Sequence, residues 1–98
     1  MRKQTIEEWK AEGNAMYGAD PKKWKFKCPS CGHIQTGEDF EKIEKVESWQ
    51  KVYKECIGRY VEGEVCNWAA YGLFRTLGKG RIVGDNNTEI FGFAEELQ

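Results

Sequence analysis

Apolar and polar positions first follow a helical period. Wound at about 3.6 residues per turn, residues 5–17 place Ile6, Trp9 and Met16 on one face. Thr5 with Glu8 three residues later forms a capping box. Gly18 suits the position just past a helix end, and Asp20-Pro21 prevents continuation, so a helix is predicted over 5–17 with Gly13 and Asn14 weakening its middle. The period then changes to two. Lys23, Lys25 and Lys27 alternate with Trp24, Phe26 and Cys28, the pattern of a half-buried strand. Thr36 with Asp39 caps a short helix carrying Phe40 and Ile43. Ser48 caps a further turn or two that carry Trp49, Val52 and Tyr53 toward Cys56, with a break near Glu47.

The second half reads as sheet. Glu62-Gly63 marks a turn between 57–61 and 65–74, and the run from Trp68 to Phe74 is apolar on both faces, which predicts a central strand. Gly78-Lys79-Gly80 breaks the chain again. Arg81–Val83 and residues 88–93 flank Asp85-Asn86-Asn87 as a hairpin. No repeat, low-complexity tract or linker interrupts the pattern, so one domain over residues 1–98 is expected.

The cysteines change the picture most. Cys28-Pro29-Ser30-Cys31-Gly32 has the form of a zinc knuckle, in which the chain reverses and both sulfurs point inward. Gly32 can take the positive φ of such a reversal, and the turn's N–H groups can then reach the sulfurs. A structural zinc takes four ligands, and the chain has four cysteines: Cys28, Cys31, Cys56 and Cys66. The second pair is oddly spaced. A tight turn at Glu62-Gly63 sets Cys66 opposite Arg59, so Cys56 must leave the ladder or the loop must be irregular. His33 is the substitute ligand if a cysteine is out of reach. Two other readings compete: buried free thiols, and a thioredoxin-like redox pair. The second needs CxxC at the start of a helix, and Gly32-His33-Ile34-Gln35-Thr36-Gly37 is a poor helix start.

Composition bounds what remains. A chain of 98 residues, 40% hydrophobic and 13% aromatic, lies near the lower end of what a hydrophobic core alone supports, and a metal would supply the rest. The N-terminus carries charges where a secretory signal has an apolar stretch, and no apolar run reaches membrane-spanning length. A cytoplasmic location is therefore expected, where thiols stay reduced and an even cysteine count favours metal over disulfides. The formal charge of −1 falls to about −3 with four thiolates and a zinc ion, so no overall cationic field points to nucleic acid. Four thiolates leave a zinc no open position. A single histidine allows no Ser/His/Asp set, and no glycine-rich phosphate loop follows a strand, so a non-enzymatic protein is expected. Lys23, Lys25 and Lys27 form a basic face that could contact phosphates, with Arg75, Lys79 and Arg81 in support. The alternation, however, sends Trp24 and Phe26 to the opposite side, leaving a solvated lysine face as the competing reading. The acidic run from Glu38 to Glu47 reads as solvated helix surface, or as a phosphate mimic toward a basic partner.

Several segments carry a resemblance. Tyr17-Gly18-Ala19-Asp20-Pro21 leads to Trp24 and Phe26, then to Cys28-Pro29-Ser30-Cys31-Gly32-His33-Ile34-Gln35 and Asp39-Phe40. Glu55-Cys56-Ile57-Gly58-Arg59-Tyr60, the stretch from Cys66 to Phe74, and Phe91-Gly92-Phe93-Ala94 follow. In these the chain resembles a family of small uncharacterised zinc-ribbon-like proteins encoded by phages and prophages. The resemblance implies that Cys56 and Cys66 complete a zinc set with Cys28 and Cys31. It also implies an accessory protein that binds and redirects host machinery, inhibitors of bacterial defence included. The expected fold is α+β, a zinc-ribbon-like antiparallel sheet with an N-terminal helix and short helices between the two cysteine pairs. The expected role is binding of a host protein, with DNA or RNA as the alternative partner. A thiol oxidoreductase would be a third class, told apart by redox turnover without metal.

Overall fold

A computed structural model describes residues 2–61, 66–71, 75–84 and 88–94. Strand β1 (Arg2–Gln4) leads into helix α1 (Ile6–Tyr17), and both halves of the Thr5/Glu8 capping box are formed. A 3₁₀ turn at Pro21–Lys23 precedes β2 (Phe26–Lys27) and β3 (Ile34–Gln35). Helix α2 (Gly37–Glu41) starts at the Thr36/Asp39 box. Two 3₁₀ turns, Trp49–Tyr53 and Ile57–Arg59, come next. The chain finishes in β4 (Arg81–Val83), β5 (Thr88–Ile90) and β6 (Gly92–Phe93).

These strands make two small sheets, ordered β1-β4-β5 and β3-β2-β6. In the first, β1 runs parallel to β4, and β4 pairs antiparallel with β5 in the register Arg81 to Ile90. In the second, β2 is central and antiparallel to both neighbours, with Phe26 opposite Gln35 and Phe93. The predicted run 88–93 is thus divided between sheets. It breaks at Phe91, which is fully buried and donates its N–H to the Tyr53 carbonyl at 2.8 Å. The hairpin's turn at Asp85-Asn86-Asn87 lies outside the described residues.

The core is aromatic. Trp24, Phe26, Phe40, Val52, Phe91 and Phe93 are buried, and they share one cluster with Cys28 and Cys56. Trp9 sits across this cluster, edge-on to Trp24 and to Tyr53 at 5.5 Å each, and stacked on Phe93 at 6.2 Å. The architecture is α+β, with one N-terminal helix beside small mixed and antiparallel sheets and the four cysteines gathered in a zinc-ribbon-like arrangement.

Several expectations are corrected. On α1 only Trp9 of the predicted apolar face turns to the core, because Ile6 and Met16 are exposed. The strand expected from Trp24 to Cys28 pairs only at Phe26–Lys27, although its alternation holds: Trp24, Phe26 and Cys28 are inside, Lys23 and Lys25 outside. The stretch 57–61 begins as a 3₁₀ turn, not a strand. Of the predicted central strand 65–74, the described part, 66–71, forms a single antiparallel bridge between Ala69 and Glu55. Residues 65 and 72–74, and the Glu62-Gly63 turn, lie outside the described residues. Arg81, grouped above with surface cations, is 1% exposed. It donates to Gln4 Oε1 at 2.5 Å, pairs with Glu12 and lies 4.8 Å over the Phe93 ring, tying β4 to β1 and α1. Such burial suits a guanidinium only because its charge is met by a carboxylate and its face by an aromatic ring. Among the described residues no helix is long and apolar enough to cross a membrane.

Candidate metal centre

The first half-site is built by the β2–β3 hairpin. Cys28 follows β2, its N–H donates to the His33 carbonyl at 3.0 Å, and the Gly32 N–H donates back to the Cys28 carbonyl at 3.0 Å. Gly32 has φ 78°, a left-handed conformation that side chains rarely adopt, so the reversal falls on the residue best able to make it. The N–H groups of Cys31 and Ser30 reach the Cys28 sulfur. The chain is thereby folded into a knuckle around a single point.

The second half-site depends on irregular backbone. Cys56 leaves the chain just before the Ile57–Arg59 turn and donates its N–H to the Trp68 carbonyl at 2.9 Å. Ala70 donates to the Lys54 carbonyl at 2.7 Å, and Arg59 donates to the Asn67 carbonyl at 2.7 Å. The segment bearing Cys66 is therefore fastened alongside the one bearing Cys56. This resolves the odd spacing: Cys56 and Cys66 are not ladder partners, because a 3₁₀ turn follows one and near-irregular chain carries the other. N–H groups of Gly58 and Trp68 meet the sulfurs of Cys56 and Cys66 respectively, repeating the knuckle's pattern.

All four sulfurs lie within 4.8 Å of one another. Cys28 and Cys66 are 3.8 Å apart, as are Cys31 and Cys56, so each close pair takes one sulfur from each half-site. Four sulfurs about 2.3 Å from a central zinc would stand about 3.8 Å apart along a tetrahedron's edges. The thiols are free, at distances no disulfide could span. Cys28 and Cys56 are buried, Cys66 is half-buried and Cys31 is exposed. Burial pushes the Cys28 thiol up to about 11 and raises Cys56 as well. Burial also works to raise Cys66, but the Trp68 N–H and the neighbouring thiols outweigh it and bring that group below its ordinary value. Four thiols gathered around a point with N–H donors aimed at them suit a cation that can hold them as thiolates. The cluster can hold a metal ion. His33 is exposed and stands outside it; only its carbonyl contributes, to the knuckle turn.

Two buried polar residues, one joining the half-sites and one bracing the second of them, were not anticipated from sequence. Gln35, fully buried on β3, donates to the carbonyls of Val52 and Glu55 at 2.7 and 2.8 Å and accepts from the Ile57 N–H at 2.8 Å. Glu55, 4% exposed, accepts from the hydroxyls of Tyr60 and Tyr71, the latter at 2.7 Å, and pairs with Lys51 and Arg59. Burial works to raise its pKa, but the two phenols and then the two cations hold it below the ordinary value. No pattern in the chain marks either residue. Ile34 is 50% exposed while Gln35 is buried, the reverse of what hydropathy predicts.

The lysines of the predicted basic face are divided. Lys23 and Lys25 are exposed, whereas Lys27 lies half-buried beside the knuckle. There it lines, with Lys79 and residues from Cys28 to Gly32, a depression of about 250 Å³.

With this geometry in place, residues 5–94 match the sequence pattern of a described family. The chain belongs to the VVA0879-like family. The match takes in all four cysteines, Gln35 and Glu55, so the whole candidate centre lies within the family's extent. Comparison with curated proteins and with solved structures finds no match.

Proposed function

We propose that this protein is a zinc-stapled binding module. Cys28, Cys31, Cys56 and Cys66 hold one Zn²⁺ as a closed structural site, and the domain acts without catalysis by binding and modulating a host macromolecule. The observation that carries the reading is the convergence of four sulfurs from two separate segments within 4.8 Å. Thiolate-only ligation favours zinc over hard cations, and four protein ligands leave no position for water or substrate. The ion's role would be to join the two half-sites and complete a core that is small for its chain. The host side of the proposal rests on the resemblance to phage- and prophage-encoded proteins. Within it, a bacterial defence protein or a component redirected during infection is the favoured partner, and the bacterial cytoplasm is the place of action.

Elemental analysis of protein purified without chelator should find about one zinc per chain. Metal-free protein with unchanged circular dichroism and melting temperature would overturn the zinc assignment. Recovery of one host protein, insensitive to salt, is the result expected for the binding role.

Nucleic acid binding is the second reading, favoured by the placement of Lys27 and Lys79 around the depression at the knuckle. Against it, Trp24 and Phe26 are buried and offer no face for stacking bases. Replacing Lys23, Lys25 and Lys27 by glutamine should leave folding and partner binding intact. Tight, steeply salt-dependent binding of wild-type protein to DNA or RNA, lost in that triple variant, would reverse the ranking.

A further inference from the structure

The four cysteines are not equally reachable. Cys28 and Cys56 are buried and Cys66 is half-buried, whereas Cys31 is exposed. The depression of about 250 Å³ at the knuckle is lined by Cys31 and Cys28, and neither Cys56 nor Cys66 is among its described lining residues. Two cations from separate parts of the chain share that lining, Lys27 from β2 and Lys79 from the turn before β4. The Lys27 stem crosses the knuckle, with Cε 3.8 Å from where a β-carbon on Gly32 would sit. None of the described lining residues is acidic. An electrophile entering from solvent therefore meets one accessible sulfur, in positively charged surroundings.

A second sulfur stands behind the first. Cys56 Sγ lies 3.8 Å from Cys31 Sγ, and Cys66 Sγ lies 3.8 Å from Cys28 Sγ. Both close pairs cross between the half-sites, and neither is the Cys28/Cys31 pair of the knuckle. An accessible thiolate with a resolving cysteine beside it is the arrangement that oxidants select.

We propose that Cys31 is a modification site for hydrogen peroxide and that Cys56 is its resolving partner. The Cys31 thiolate attacks one peroxide oxygen: an S–O bond forms, the O–O bond breaks, and the second oxygen leaves as hydroxide, its charge met by Lys27 and Lys79. The Cys56 thiolate then attacks the sulfenic sulfur, forming the S–S bond and expelling a second hydroxide. Two thiolates lose two electrons, and one peroxide becomes two hydroxides, which solvent protonates. Closing the bond brings the sulfurs from 3.8 Å to about 2 Å, a movement open to an exposed side chain such as Cys31. Two ligands leave the metal set and the ion is released, yet the new bond joins the same half-sites that the ion joined. The inference rests on the zinc reading and adds that oxidation exchanges one staple for another instead of opening the centre.

The test treats zinc-loaded full chain with hydrogen peroxide beside a zinc-sensitive dye, then blocks remaining thiols and digests with trypsin. Zinc should appear in solution, and peptide 28–42 should be recovered bound to peptide 55–59, with fragmentation placing the link on Cys31. A disulfide closed within 28–42, or an ion retained by oxidised protein, would overturn the proposal. Replacing both Lys27 and Lys79 by glutamine should leave zinc content unchanged and slow its release about fivefold. An unchanged rate would tell against the attack at the depression. The oxidised, zinc-free chain should melt above reduced chain held in chelator, and dithiothreitol with zinc should restore the starting form. Melting at or below the reduced, chelated chain would show that the new bond does not tie the half-sites. Should the chain as purified hold no zinc, the zinc assignment fails by itself, and the peptide map still decides for or against the Cys31–Cys56 bond.

Discussion

Single side chains here are decided by what they touch more than by their own preferences. Gly13 breaks helical propensity in the middle of α1, yet it is buried, and a β-carbon there would come within 2.6 Å of the Trp24 ring. Gly13→Ala should gain about 1 kcal/mol of helix propensity but lose more to overpacking against a fixed indole. A net loss of about 1–2 kcal/mol in denaturant unfolding is expected, and a stabilised variant would show that Trp24 can yield. Glu89 illustrates the electrostatic side. Burial works to raise its pKa, but the Thr76 hydroxyl at 2.6 Å and the Arg75 guanidinium at 3.2 Å prevail and hold it below the ordinary value. A carboxyl lowered in the folded state contributes stability above its unfolded pKa, and that contribution disappears as pH falls through the folded value. Glu89→Gln should therefore cost about 1 kcal/mol at neutral pH. The gap between variant and wild type should close in acid, read from melting temperatures across the pH range.

Among elements, the hairpin carrying the knuckle and the irregular chain carrying Cys56 and Cys66 depend on one another through Gln35. Its amide fills two carbonyls and one N–H at the second half-site from a strand of the first. Gln35→Ala would leave those backbone groups buried and unpaired, at a cost of about 3 kcal/mol. Zinc affinity should fall in competition with a chromogenic chelator although no ligand has changed; unchanged affinity would show that the half-sites are aligned without Gln35. The caps at Thr5 and Thr36 were readable in the chain because each is settled within four residues. The arrangement around Glu55 was not. It gathers Lys51, Arg59, Tyr60 and Tyr71 from turns whose course no local pattern prescribes.

At the scale of the whole molecule, the cysteine cluster and the aromatic core are one unit, since Cys28 and Cys56 pack with Phe26, Phe40 and Phe93. Loss of either half-site should then be felt everywhere. Cys28→Ser and Cys56→Ser are expected to lower the melting temperature alike, and excess chelator should broaden the wild-type transition to match them. A Cys56→Ser variant that keeps wild-type zinc content and stability would place the fourth ligand elsewhere.

Sequence by itself determined the local and periodic features: helix α1 and its cap, the inward alternation of Trp24, Phe26 and Cys28, the Cys28–Gly32 reversal, the strand at Arg81–Val83 and an extended run over 88–93 without its break. Each follows from neighbours a few residues apart, where backbone sterics and hydrogen bonding leave few choices. Tertiary structure alone decided that β1 pairs in parallel with β4, that Arg81 is buried against Glu12, and that Phe91 divides one apolar run between two sheets. It also decided how Cys56 and Cys66 reach the knuckle. Those outcomes join residues far apart in the chain, and they arise where buried polar groups must find partners that no nearby residue supplies.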